Sequence, residues 1–151
     1  MRAHARGKRS LRLWLRLLRC SSQVEKRIRV QLQREFSTTL PRFDLLAALY
    51  RRAEGVTMSE LSASLRVSNG NVTVVATRLI QDELIAKITD PRDRRASILC
   101  LTPRGRRMFA RMAHEHEVWV TAMFDDLTVN QCADLMELLG TLRQSIEANP
   151  L

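Results

Sequence analysis

The sequence predicts a mainly α chain interrupted once by a small β-hairpin. Apolar residues recur at spacings of three and four along most of the 151 residues, the period of a helix that hides one face. After Leu84 the period shortens. Two β-prone runs, Ile85 to Asp90 and Ser97 to Leu101, then flank Pro91-Arg92-Asp93-Arg94-Arg95 as strands flank a turn. Composition agrees, since 45% apolar residues against five Gly and four Pro suffice for one core and exclude disorder, collagen-like repeats and a disulfide-stapled miniature fold.

Each element follows from its residues. Leu11, Trp14, Leu15 and Leu18 share a face that Val24, Ile28 and Leu32 continue, so residues 10–35 read as a long first helix behind a basic tail, residues 1–9. Pro41 is tolerated at the opening of a second helix, which Phe43, Leu46, Ala47 and Tyr50 make and which ends before Gly55. Thr57 and Glu60 have the T-x-x-E spacing of a capping box and start a short third helix carrying Leu61 and Leu65. Ser68 caps a fourth, with Val72, Val75, Ala76, Leu79 and Ile80 inward and Asn69, Asn71, Thr73, Val74, Thr77 and Arg78 outward. Thr102-Pro103 restarts a helix whose face includes Met108, Met112, His116, Trp119 and Met123. Thr128 and Gln131 cap the last helix, striped by Leu135, Leu139, Leu142 and Ile146.

Charge is segregated. The formal total is +9, made of +7 over residues 1–19, +3 over 20–67, +4 over 68–107 and −5 from 108 onward. A localised positive surface suits a polyanion, because each phosphate neutralised releases counterions. The N-terminus is Arg-rich, yet Arg12, Arg16 and Arg19 break its apolar run and no small-residue cleavage pattern follows, which argues against a secretory signal. No stretch reaches the ~18 apolar residues that a bilayer demands. Cys20, Cys100 and Cys132 are odd in number and widely spaced, as expected of separate thiols in the cytoplasm.

Two short helices joined by Arg66-Val67 and followed by a hairpin with a basic tip have the layout of a winged helix-turn-helix. In that layout the second helix enters the major groove, about 12 Å wide. Asn69 and Asn71 suit adenine, Arg78 suits guanine or phosphate, and the methyl groups of Thr73, Val74 and Thr77 suit thymine. Ser68 and Gly70 lie at the helix start, where a phosphate is favoured and a small residue allows close approach. Arg92, Arg94 and Arg95 on a narrow hairpin suit a minor groove, with Asp93 expected to pair with Arg95 and orient its guanidinium.

Several motifs make the chain resemble the MarR family of dimeric winged-helix transcriptional regulators. They are Val67-Ser68-Asn69-Gly70-Asn71-Val72-Thr73, Arg78-Leu79 with Leu84-Ile85, and Asp90-Pro91-Arg92-Asp93-Arg94-Arg95 followed by Leu101-Thr102-Pro103-Arg104-Gly105. The resemblance implies that Arg95 reaches the minor groove with Asp93 as its partner. It also implies a homodimer built from residues 10–36 and 103–151, around a DNA-binding lobe over 37–102, addressing a pseudo-palindromic operator of double-stranded DNA. Glu83 departs from the family, which usually has Gly at the end of the recognition helix.

Leu11 to Arg19, Thr39 to Asp44 and the S-N-G-N-V-T start are similar to family members that regulate aromatic, hydroxycinnamate-type acid catabolism, some of which recognise the coenzyme A thioester. The expected function is therefore a ligand-responsive regulator, with repression the expected direction. An aromatic acid wants a ring-sized apolar wall and a cation, for which Trp14, Phe43, Met112, His116 and Trp119 with Arg16 or Arg42 are candidates. Arg12, Arg16 and Arg19 along one helix could meet the phosphates of a thioester. The alternatives are a protein-interaction module that uses the winged helix without DNA, and thiol-based redox sensing at Cys20. No catalytic set, cofactor loop or metal site is expected: no nucleophile sits beside a base, and His114 and His116, two apart on a helix, point to different sides.

Overall fold

The computed structural model describes residues 2–65 and 69–150, with the side chains of 2–6 and 69–70 left aside. Its elements are α1 (Arg2–Phe36), α2 (Leu40–Tyr50), β1 (Val56–Thr57), α3 (Met58–Leu65), α4 (Asn69–Gln81), β2 (Ile85–Asp90), β3 (Asp93–Leu101), α5 (Pro103–Phe124) and α6 (Val129–Ala148). Mainly α with a small wing is the observed class. The chain forms two units, Met1–Glu117 and Val118–Leu151. No helix among the described residues is long and apolar enough to cross a membrane.

The core lies in the first unit. Leu32 of α1, Leu45, Leu46 and Leu49 of α2, Leu61 of α3, Val72, Ala76 and Leu79 of α4, Ile85 and Ile98 of the sheet and Met112 of α5 are all buried. Helix α1 starts at Arg2, inside the segment expected to be a tail. Only its C-terminal part reaches that core, through Ile28 and Leu32; Leu11, Trp14, Leu15 and Leu18 are exposed. In the second unit α6 buries nothing, and Leu135, Leu139 and Ile146 are exposed.

Local chemistry sets the boundaries. The Thr57 backbone N–H donates to Glu60 Oε2 at 2.8 Å and the Glu60 N–H to Thr57 Oγ1 at 3.2 Å, closing the box that starts α3. Thr128 and Gln131 do the same for α6. Helix α4 exits through the αL residue Glu83, φ 59°. The Glu83 N–H donates to Ile80 O and the Leu84 N–H to Leu79 O, both at 2.9 Å, the bonding of a Schellman cap. The helix end is thus the one a Gly would give, held by a residue for which αL costs about 1–2 kcal/mol.

The sheet is antiparallel with order β1-β3-β2, so a third, unexpected strand pairs Val56 with Leu99 and Thr57 with Ile98. Two residues are too few to show alternation. The wing also differs from its expected shape. β3 begins at Asp93, so the turn is only Pro91-Arg92 and Arg94 and Arg95 belong to the strand. Thr102 ties the wing's exit to the end of α4: its hydroxyl donates to Glu83 O at 2.7 Å, and it accepts the Gly105 N–H at 2.9 Å. Gly105 sits directly against the Leu84 carbonyl, where a Cβ would overlap the oxygen.

Candidate nucleic-acid interface

Helix α4 divides as a reading helix should. Val72, Ala76 and Leu79 are buried, while Asn71, Thr73, Val74, Thr77 and Arg78 are exposed. Ile80, expected inward, is exposed instead, because at the last turn the core side of the helix is already taken by Leu79 and Leu84. The Thr77 hydroxyl donates back to Thr73 O at 2.8 Å, so its methyl and not its hydroxyl is the free group. Ser68 lies outside the described residues, as do the side chains of Asn69 and Gly70.

The three wing arginines are not equivalent. Arg92 is committed to Asp90: Nε donates to Oδ1 at 3.1 Å, Nη2 to Oδ2 at 3.3 Å and the backbone N–H to Oδ1 at 2.9 Å. Those bonds hold the Asp90 carboxyl below its ordinary range and lock the turn. Arg92 is therefore a turn-forming residue first. Asp93 does not pair with the Arg95 guanidinium as expected; its Oδ1 accepts the Arg95 backbone N–H at 2.9 Å. The reason is distance along the chain: at i+2 the peptide N–H is within reach of a short carboxylate, as in an Asx turn. Asp93 thus fixes the strand start, and the guanidiniums of Arg94 and Arg95 carry no ion pair among the described residues.

Between wing and helices lies a recess of about 270 Å³ lined by Ser59, Ser62, Thr73, Thr77 and Lys87 among apolar residues. Among the described residues, Ser62 Oγ is buried there without a hydrogen-bond partner. Sequence reading missed Lys87 and Ser59. Lys87 is one step of an unremarkable i, i+2 alternation in β2, and only the recess it shares with Thr73 and Thr77 shows that it stands beside α4.

Some of the residues expected to hold an aromatic effector meet within the first unit. Phe43 and His116 stack with ring centroids 4.9 Å apart, and Phe43 meets Phe109 at 5.4 Å. Phe43 and Met112 are core residues. Burial pushes the His116 imidazole below its ordinary value, with the Asp44 charge opposing. Arg42 is ion-paired through Nη2 with Asp82 just past the end of α4, while its Nε is buried without a hydrogen-bond partner among the described residues. Trp14 and Arg16 are both exposed on α1, and two residues apart on a helix they point to opposite sides. Trp119 lies in the second unit, half-buried. None of these seven lines the cavity of about 410 Å³ formed by α1, α2, the end of α3 and the start of α4. Cys20 is exposed, Cys100 and Cys132 are partly buried, and burial pushes the Cys100 thiol up.

Residues 38–97 match the MarR family profile. The chain is 27% identical over 140 residues to the transcriptional activatory protein BadR of Rhodopseudomonas palustris, covering 91% of this chain and 79% of the relative. A MarR family transcriptional regulator from Silicibacter pomeroyi superposes with a TM-score of 0.77 at 29% identity, covering 95% of this chain and 96% of that one. CouR from Rhodococcus jostii RHA1, crystallised with p-coumaroyl-CoA, shares the fold at a TM-score of 0.76 and 18% identity over 86% of this chain and 90% of its own. With an exposed reading helix and a basic wing on the same lobe, the chain is similar to the MarR family over residues 38–97 and has the build of a DNA-binding transcriptional regulator of that type.

Proposed function

We propose that the chain works as a homodimer on a pseudo-palindromic operator, represses by occupying it, and leaves it when an aromatic acid or its coenzyme A thioester binds. The observation that carries the DNA half is the pairing of α4's exposed Asn71, Thr73, Val74, Thr77 and Arg78 with two uncommitted wing arginines, Arg94 and Arg95. In this reading α4 reads base edges, Arg95 enters the minor groove, Lys87 and the Ser59 hydroxyl meet backbone phosphate, and Arg92 with Asp90 and Asp93 shapes the turn.

The dimer reading rests on apolar side chains left open on α1 and on α6, Trp14 at 54% and Met136 at 68% exposure among them. Faces of this kind on a small domain call for a second subunit. The effector class is supported by the thioester held by CouR and by Arg12, Arg16 and Arg19, which are exposed and unpaired among the described residues. A mobility-shift titration tests the reading. Arg95→Ala should weaken operator binding about tenfold, and p-coumarate or p-coumaroyl-CoA should dissociate the wild-type complex. Unchanged affinity in the first trial contradicts the DNA half, and no release by either compound contradicts the effector half. A promoter reporter decides between repression and activation.

A further inference from the structure

The cavity of about 410 Å³ beside the recognition helix has walls whose charge does not suit an aromatic acid. Its lining includes the apolar Leu45, Leu65 and Val75 and the charged Glu25, Arg29 and Asp44. The guanidinium of Arg29 is already engaged, since both Nε, at 3.1 Å, and Nη2 donate to Glu25 Oε1. Asp44 has no hydrogen bond or ion pair among the described residues. Burial pushes its carboxyl above the ordinary value, although Arg29, His116 and Arg51 pull the other way and Glu25 adds to the push. Asp44 is an exposed residue, and a carboxylate without an ion-pair partner among the described residues, at the mouth of an apolar recess, gains from a cation that carries its own N–H donors and an apolar body. Among the described residues, an anion there would face two carboxylates and one guanidinium that is spoken for. The volume falls in the range of small-molecule sites, about 300–1,000 Å³.

We propose that this cavity binds a small amphipathic monocation, a primary or secondary ammonium on an apolar body, with the ammonium on Asp44 and the body against Leu45, Leu65 and Val75. Val75 belongs to α4, and Asn71, which also lines the cavity, is one of the residues assigned to DNA. Occupancy therefore bears on how the reading helix meets a duplex; this last step rests on the proposed DNA interface, whereas binding itself does not. The site is a second effector class, distinct from the aromatic acid.

Titration calorimetry of the full chain without DNA, using 4-phenylbutylammonium, 4-phenylbutyrate and 4-phenylbutanol, tests the proposal. The ammonium should bind saturably and at least tenfold more tightly than the other two, and Asp44→Asn should remove that preference. Leu40→Trp, which fills the cavity at the α2 side, should block binding and serves if the Asp44 variant folds poorly. Equal or tighter binding of the carboxylate, ammonium binding indifferent to both variants, or no binding by any probe overturns the proposal. A mobility shift by the ligand-free protein tests DNA binding separately, so failure of one reading is distinguishable from failure of the other.

Discussion

Arg94 and Arg95 differ from Arg92 only in what their carboxylate neighbours do, and that difference predicts distinct phenotypes. Arg94→Ala and Arg95→Ala should each weaken DNA binding at every sequence and lower the salt slope by about one, with thermal stability unchanged, as read by shift assays at several salt concentrations. Arg92→Ala should instead loosen the turn, because Asp90, only 6% exposed, loses its charged partner. Two further residues make pH-linked predictions. The fold disfavours ionised Asp44, so its contribution to stability is present below the ordinary 3.8 and lost as pH rises through the elevated folded value. Asp44→Asn should therefore raise the melting temperature at neutral pH. The fold also disfavours charged His116, whose contribution is present above the ordinary 6.5 and lost as pH falls through the depressed folded value. His116→Phe, which can keep the stack on Phe43, should flatten the drop in melting temperature over that acidic window.

At the scale of elements, the end of α4 is the junction that matters, since the Schellman cap, the Thr102 bonds and Gly105 all meet at Leu84. Glu83→Gly relieves the αL cost and should add about 1 kcal/mol, a rise of ~2–4 °C in Tm by calorimetry. Gly105→Ala should destabilise by at least ~1–3 kcal/mol, because the carbonyl it meets is backbone and cannot swing away. The helices were legible in the sequence because capping residues and apolar spacing agree: Thr57 with Glu60 and Thr128 with Gln131 form the boxes their spacing implies. The wing was legible as a hairpin but not in detail. Period-2 patterns cannot count turn residues, so Arg94 and Arg95 were read as tip and proved to be strand. β1 is two residues long and carries no pattern of its own, and Gly55, with φ 89°, is the one local hint of it.

At the scale of the molecule, the candidate DNA surface was readable because recognition-helix residues are contiguous in sequence, so exposure follows from helical phase. The cavity of about 410 Å³ was not readable in the same way, because a cavity is assembled from distant segments. Glu25, Asp44, Leu65 and Val75 share no motif, and only folding brings them to one cavity. The apolar stripe of α6 predicts that Leu139→Glu yields a monomer by sedimentation and with it a loss of operator affinity. The most direct test of the central claim is selection of bound duplexes from a random pool by the purified wild-type protein. An inverted repeat with half-site centres about one turn, ~10 base pairs, apart or a multiple of it should be enriched. Recovery of a lone half-site, or no enrichment over the starting pool, would contradict it.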